Sequence, residues 1–352
     1  MKKNIFFLPF IFILFLGALY TSLQRLGWQL PAIPIDLINH GPLMITGFLG
    51  TLISLERATA LNKRWIFFAP ILIAAGSFLA LTPSLKELGI LILTAGSLVN
   101  FLGMVYLTYL QNQLFNKTMA LGALIYFLGN VFLTAGYSFS PVILFWMGFL
   151  IVTILGERLE LTRMLPVSRT HIIIFQILIT IFSASIFYSI FSLQTASIVF
   201  SVCLILLAIW FSFNDIIKKT IKLSGQTRFT AVGLVFGYFW SIAGSLIILK
   251  YDFQKAGFIY DAFLHSIFLG FVFSMIFVHA PIVFSAVFRQ PVKYSGRFYI
   301  HLVLLQITIA GRIYADIASD ASLRMFFGLG NVLSILLMIL NTLISVIQGK
   351  KE

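Results

Sequence analysis

The sequence predicts an all-α polytopic membrane protein of about twelve transmembrane helices, and three observations predict it: composition, recurring apolar runs of membrane length, and one-sided sorting of basic residues. Hydrophobic residues make up 60% of the 352 residues and charged residues 10%, with a mean hydropathy of +1.03. That leaves too little polar surface to wrap a water-facing body, so lipid must cover most of the chain. A hydrocarbon core of ~30 Å takes ~20 apolar residues per helix. Runs of that length recur from one end to the other, leaving no room for a sizeable extramembrane domain, and residues 1–352 read as a single integral membrane domain.

Lys2 and Lys3 precede the first apolar stretch, 5–23, which resembles a secretory signal. It outruns a typical h-region of ~7 to 15 residues, and no small-residue cleavage pattern follows, so it is expected to be an uncleaved first helix. The remaining spans are expected at 38–60, 65–82, 87–111, 118–138, 141–157, 171–192, 195–214, 229–250, 259–288, 297–318 and 323–347. With a cytoplasmic N-terminus, eighteen of the twenty-four Lys and Arg fall on the inner side: Lys2, Lys3, Arg57, Lys63, Arg64, Lys117, Arg158, Arg163, Arg169, Lys218, Lys219, Lys222, Arg228, Arg289, Lys293, Arg297, Lys350 and Lys351. Outside fall Arg25, Lys86, Lys250, Lys255 and Arg324, with Arg312 just inside the outer end of the eleventh helix. The positive-inside rule therefore predicts both termini cytoplasmic, in a bacterial inner membrane. The formal charge of +13 is mainly this topology signal. The basic residues form no continuous stripe with interleaved aromatics, so membrane lipids, not nucleic acid, are the expected partners.

The second helix ends Leu52-Ile53-Ser54-Leu55-Glu56-Arg57 and the sixth ends Thr153-Ile154-Leu155-Gly156-Glu157-Arg158. This echo, four helices apart, suggests a three-by-four-helix pseudo-repeat. Glu56, Arg57, Glu157, Arg158, Glu160 and Arg163 are expected to pair at i,i+3 or i,i+4 and to set topology. The single Cys203 excludes an internal disulfide, and there is no CxxC, Walker, GxSxG or HExxH motif.

Ionisable groups inside a membrane are where function is to be sought. Of the five histidines, His40 and His265 fall toward the expected outer face, and His171, His279 and His301 toward the inner. His265 and His279 share the tenth helix, fourteen residues apart. At ~100° per residue that is ~40° short of four turns, so both rings would leave one face, ~21 Å apart along the axis. Such a helix could present one axial imidazole to each of two stacked hemes, with His40 opposite His265 and His301 or His171 opposite His279. Gly41, Gly47 and Gly50 after His40 would let a flat macrocycle approach the backbone. Heme propionates need cations; Arg312 and Arg324 lie at a suitable depth, although Asp316 offers Arg312 an ordinary salt bridge. Met44 and Met275 read as packing, as do Pro42 and Pro281 at helix kinks.

About twelve helices, a His near the outer end of helix 2, another near the outer end of helix 10 and arginines about the helix 11–12 junction resemble subunit I of the heme-copper oxidases and its relatives, including NnrS-type heme proteins of the nitric-oxide response. The resemblance implies His40 and His265 as axial ligands of a low-spin heme b iron, with Arg312 or Arg324 at its propionates. The departures are informative. Asp261-Ala262-Phe263-Leu264 precede His265, the sixth helix has no His, and His171 on the seventh is at the wrong face. A heme-copper binuclear centre is therefore not expected, and nothing supports copper. The expected function is heme b binding for electron transfer or a nitric-oxide- or oxygen-related response, with a small gas or an electron donor as partner. The alternative is a secondary transporter using intramembrane His and Arg for protons, metal ions or an anionic substrate. Whether the chain is an enzyme is left open.

Overall fold

The computed structural model describes residues 7–31, 40–253, 256–288, 290 and 292–349, which hold helices and no strand. The first residues of the expected spans 5–23 and 38–60 lie outside the described residues, as do Lys2, Lys3, Lys255, Arg289, Lys350 and Lys351. Helical rods follow one another as α1 (Leu8–Arg25), α2 (40–61), α3 (Arg64–Leu79), α4 (Lys86–Leu110), α5 (Leu114–Thr134), α6 (Phe139–Thr162), α7 (Arg169–Tyr188), α8 (Leu193–Asn214), α9 (Gly225–Tyr251), α10 (258–288), α11 (Phe298–Ile317) and α12 (Ala321–Gly349). Among the described residues nine helices are long and apolar enough to cross a membrane; α1 and α3 are shorter apolar helices. The architecture is that of an all-helical, polytopic membrane protein.

The chain divides into two compact units that adjoin in sequence between Gly156 and Glu157. In the first, α3 packs on α4 and α4 on α5, while α1 lies on the middle of α2. The α3–α4 contact is backbone on backbone. A Cβ at Gly76 would sit 2.4 Å from the Leu93 amide nitrogen, and one at Gly89 only 2.3 Å from that of Ala80, so both positions demand glycine. Close approach through small residues supplies dispersion contact where lipid removes the hydrophobic incentive. In the second unit α7 packs on α8, α8 on α9, α9 on the middle of α10, and α11 on α12.

Among the described residues two rods carry a π-helical stretch. α2 is α-helical over His40–Pro42, π-helical over Leu43–Gly50 and α-helical again over Thr51–Leu61. α10 is α-helical over Phe258–His265, π-helical over Ser266–Phe273 and α-helical over Ser274–Phe288. An i→i+5 stretch turns the chain less per residue than an α-helix does. The uniform ~100° per residue behind a common face for His265 and His279 therefore does not hold between them, because the second stretch lies in that interval.

Candidate functional site

His40 opens α2, and its Nδ1 lies 2.9 Å from the Ala18 carbonyl of α1. A carbonyl oxygen only accepts, so the ring proton sits on Nδ1 and the lone pair on Nε2. Pro42 fits the first turn of the rod because its missing N–H would have had no intrahelical acceptor there. The π stretch then buries Leu43, Met44, Ile45, Thr46, Gly47, Leu49 and Gly50. Of the glycines near His40, only Gly41 has nothing within 4 Å of a would-be Cβ among the described residues; Gly47 meets Leu14 and Ser77 at an ordinary 3.5 Å, and Gly50 would place its Cβ 2.6 Å from the Tyr126 hydroxyl. Gly50 is therefore occupied by a tyrosine and is not left open to a ligand. Tyr126 is itself stacked on Phe149, 4.4 Å between ring centroids.

His265 is built in a like manner. Its Nδ1 lies 2.8 Å from the Asp261 carbonyl one turn back, which again puts the lone pair on Nε2, and the next residue begins the second π stretch. That stretch is fixed from two sides. Trp240 of α9 fills the space at Gly270, where a Cβ would come within 2.5 Å of the indole. The indole Nε1–H donates to Gln306 Oε1 at 2.7 Å, and the Gln306 amide donates to Ser274 Oγ at 2.9 Å. All three residues are buried, so the chain of bonds ties α9, α11 and α10 together where water cannot compete.

The Asp261 carboxylate, below His265, belongs to a ring of four charges. Arg312 reaches Asp261 at 3.5 Å and Asp316 at 3.1 Å; Arg324 reaches Asp316 at 2.9 Å and is also paired with Asp261. Asp316 and Arg312 are buried, and two acids balance two bases. Arg324 also lies over the Phe258 ring, 5.0 Å from its centroid. Both arginines expected at propionates thus carry carboxylates of the chain itself, and a propionate at either would share it with an aspartate.

The other histidines are held separately. His171, in the first turn of α7, donates from Nδ1 to Asn214 Oδ1 at 2.7 Å, while Trp210 donates to its carbonyl at 2.9 Å, joining α7 to α8. His279 has its Nδ1 2.8 Å from the Met275 carbonyl. His301 is buried on α11, where Asn341 of α12 donates to its Nδ1 at 3.1 Å. Its proton is therefore on Nε2, which is buried without a hydrogen-bond partner among the described residues, and the imidazole lies 6.2, 5.2 and 5.6 Å from the ring centroids of Phe229, Phe277 and Phe298. Among the described residues no three His, Cys, Asp or Glu side chains converge as a metal site.

One buried cluster was not legible. Arg158, expected to pair within its own helix end, instead lies bidentate on Asp215, Nε–Oδ2 2.9 Å and Nη2–Oδ1 2.6 Å, with the Tyr238 hydroxyl donating to Oδ2 at 3.0 Å. The signal available was Asp215 itself, an acid set between the apolar end of α8 and Ile216-Ile217. The exposed Arg163–Glu160 pair, 3.6 Å apart at i,i+3, does follow the local rule.

A family profile described as a domain of unknown function, DUF8744, matches residues 4–347, nearly the whole chain. The chain belongs to the DUF8744 family. No curated protein and no solved structure matches it. The DUF8744 match takes in both histidine-led π stretches, the Asp-Arg ring and the Arg158–Asp215 pair.

Proposed function

We propose that this DUF8744 member is a heme b-binding membrane protein resembling subunit I of the heme-copper oxidases and NnrS-type proteins. It would serve electron transfer or a nitric-oxide- or oxygen-related response, with His40 and His265 as axial ligands. The observation that carries the reading is a construction found in both rods: a histidine whose Nδ1–H is held by a backbone carbonyl, followed within three residues by an eight-residue π stretch. A backbone acceptor on one ring nitrogen fixes the tautomer and orientation of an imidazole that is to bind iron through the other. π segments interrupt helices at functional sites more often than elsewhere. Heme bound there would supply a one-electron iron couple, and the chain's part is to hold the two imidazoles in the Nε2 lone-pair form. Among the described residues nothing fills the space at Gly41, beside His40.

The reading takes all twelve rods as membrane passes, with both termini cytoplasmic in a bacterial inner membrane, supported by the sorting of eighteen basic residues to one side. The Glu56-Arg57 and Glu157-Arg158 echo supports a three-by-four-helix ancestry on the same terms. A second heme or metal site would draw on His279, with His301 or His171.

The second reading, a secondary transporter, is favoured by the Asp261–Arg312–Asp316–Arg324 ring, since alternating charges, three of them buried, suit a proton- or anion-responsive element. The visible spectrum of the detergent-purified protein, oxidised and dithionite-reduced, decides between them. A reduced low-spin b-type spectrum lost in both His40→Ala and His265→Ala supports the heme reading. A colourless protein after heme supplementation during expression overturns it in favour of transport.

A further inference from the structure

A cavity of about 320 Å³ opens at the start of α9, lined by Ser224, Gly225, Arg228, Val232, Tyr294 and Tyr299. Arg228 is exposed, and among the described residues no carboxylate pairs with it. None could do so from nearby in sequence, because no Asp or Glu occurs in 216–251 or 262–315, whereas Lys222 and Lys293 precede the two segments that form the cavity and Arg297 lies within the second. Tyr294 and Tyr299 both pack against Phe229, at 6.1 and 5.2 Å, which sets the two phenols on one wall. Burial pushes the Tyr294 phenol up from its ordinary pKa, Tyr299 adds to the shift and Arg228 opposes it, so the three groups share one electrostatic environment. Ser224 makes no side-chain cap to α9, so the first-turn N–H groups keep their donor capacity beside the guanidinium.

A guanidinium without a counter-charge, two phenols and a serine hydroxyl are donors suited to phosphate oxygens. Val232 adds an apolar wall, and α9 is a helix long and apolar enough to cross a membrane, which sets its first turns at headgroup level. We propose that this cavity binds the phosphodiester headgroup of an anionic lipid, with Arg228 as the charge partner and Tyr294, Tyr299 and Ser224 as hydrogen-bond donors.

The test is native mass spectrometry of the full-length protein in detergent, titrated with phosphatidylglycerol, phosphatidylcholine or inorganic phosphate. The wild type should retain phosphatidylglycerol about tenfold more strongly than phosphatidylcholine. Arg228→Gln should abolish that preference and Tyr294→Phe should weaken it several-fold, while Lys117→Gln, which removes an equal charge at the start of α5, should leave it unchanged. A preference that survives Arg228→Gln, or falls equally in Lys117→Gln, overturns the site in favour of general surface charge. Displacement of the lipid by millimolar inorganic phosphate overturns the lipid assignment in favour of a free phosphate ligand.

Discussion

The Arg158 guanidinium lies flat against the Asp215 carboxylate, two hydrogen bonds of 2.9 and 2.6 Å joining residues fifty-seven apart in the chain. Both side chains are buried, and Asp215 also accepts from Tyr238 and from the Ile217 amide at 3.0 and 3.2 Å. A carboxylate with four donors around it loses most when the charge opposite is removed. Arg158→Leu should therefore destabilise by ~3–5 kcal/mol, leaving Asp215 unpaired in a low-dielectric site. Tyr238→Phe removes one neutral donor to a charged acceptor and should cost ~1.5–3 kcal/mol. Denaturant titration of the detergent-solubilised protein, followed by near-UV circular dichroism, ranks the two; equal losses would mean that the ion pair contributes no more than the phenol.

The Asp-Arg ring below His265 predicts non-additivity. Asp316→Asn strips a charge partner from both Arg312 and Arg324, as each of them reaches it within 3.1 Å. Alone it should cost ~3–5 kcal/mol. Combined with Arg312→Gln, which restores the charge balance, the pair should cost less than the sum of the singles by ~0.5–3 kcal/mol. A double-mutant cycle on unfolding free energy measures the coupling, and a value near zero would show four charges acting independently.

How far these features could be read in advance depends on their physical range. Rod positions were legible because burial in lipid writes a long apolar run, and the expected span 323–347 falls inside α12, Ala321–Gly349. The expected span 118–138 was displaced: α5 runs Leu114–Thr134, taking in Lys117, because a lysine stem can lie along a helix while its ammonium reaches the interface. His40 and His265 stood out as polar groups at depth. The π stretches after them did not, since an i→i+5 ladder leaves no compositional mark, and the same-face expectation for His265 and His279 assumes a uniform α-helix between them. Arg158 was assigned an in-helix partner because local pairing is all that spacing can show, and Asp215 is brought to it only by the packing of the second unit.

Two glycines inside the π stretches predict opposite outcomes on rescue. A methyl at Gly50 would meet the Tyr126 hydroxyl at 2.6 Å, and one at Gly270 would meet the Trp240 Cβ and Cγ at 2.5 Å. Each alanine substitution should cost ~1–3 kcal/mol as overpacking. Tyr126→Phe removes the atom in conflict and should recover most of the loss in Gly50→Ala. No truncation at the far end of the indole can do the same for Gly270→Ala, whose obstacle lies next to the Trp240 backbone. Thermal unfolding of the two single variants and of Gly50→Ala with Tyr126→Phe tests this; a double variant no better than Gly50→Ala would place the strain elsewhere.

His301 and Asn341 predict a tolerated exchange. The Asn341 amide donates to His301 Nδ1 at 3.1 Å and also to the Arg297 carbonyl at 3.4 Å, and the imidazole Nε2 has no hydrogen-bond partner among the described residues. His301→Phe alone keeps the ring among Phe229, Phe277 and Phe298 but leaves the Asn341 donor one bond short, which should cost ~1–3 kcal/mol. Replacing both, His301→Phe with Asn341→Leu, removes the orphaned amide along with the unpartnered Nε2–H, and the double variant should return to within ~1 kcal/mol of the wild type. Unfolding midpoints of the two variants measure this directly. If the double variant remains as destabilised as the single, His301 contributes through its polarity, and a ligand role on α11 gains ground; if it recovers, the residue is a polar member of an aromatic core, and the search for a second metal ligand narrows to His279 and His171.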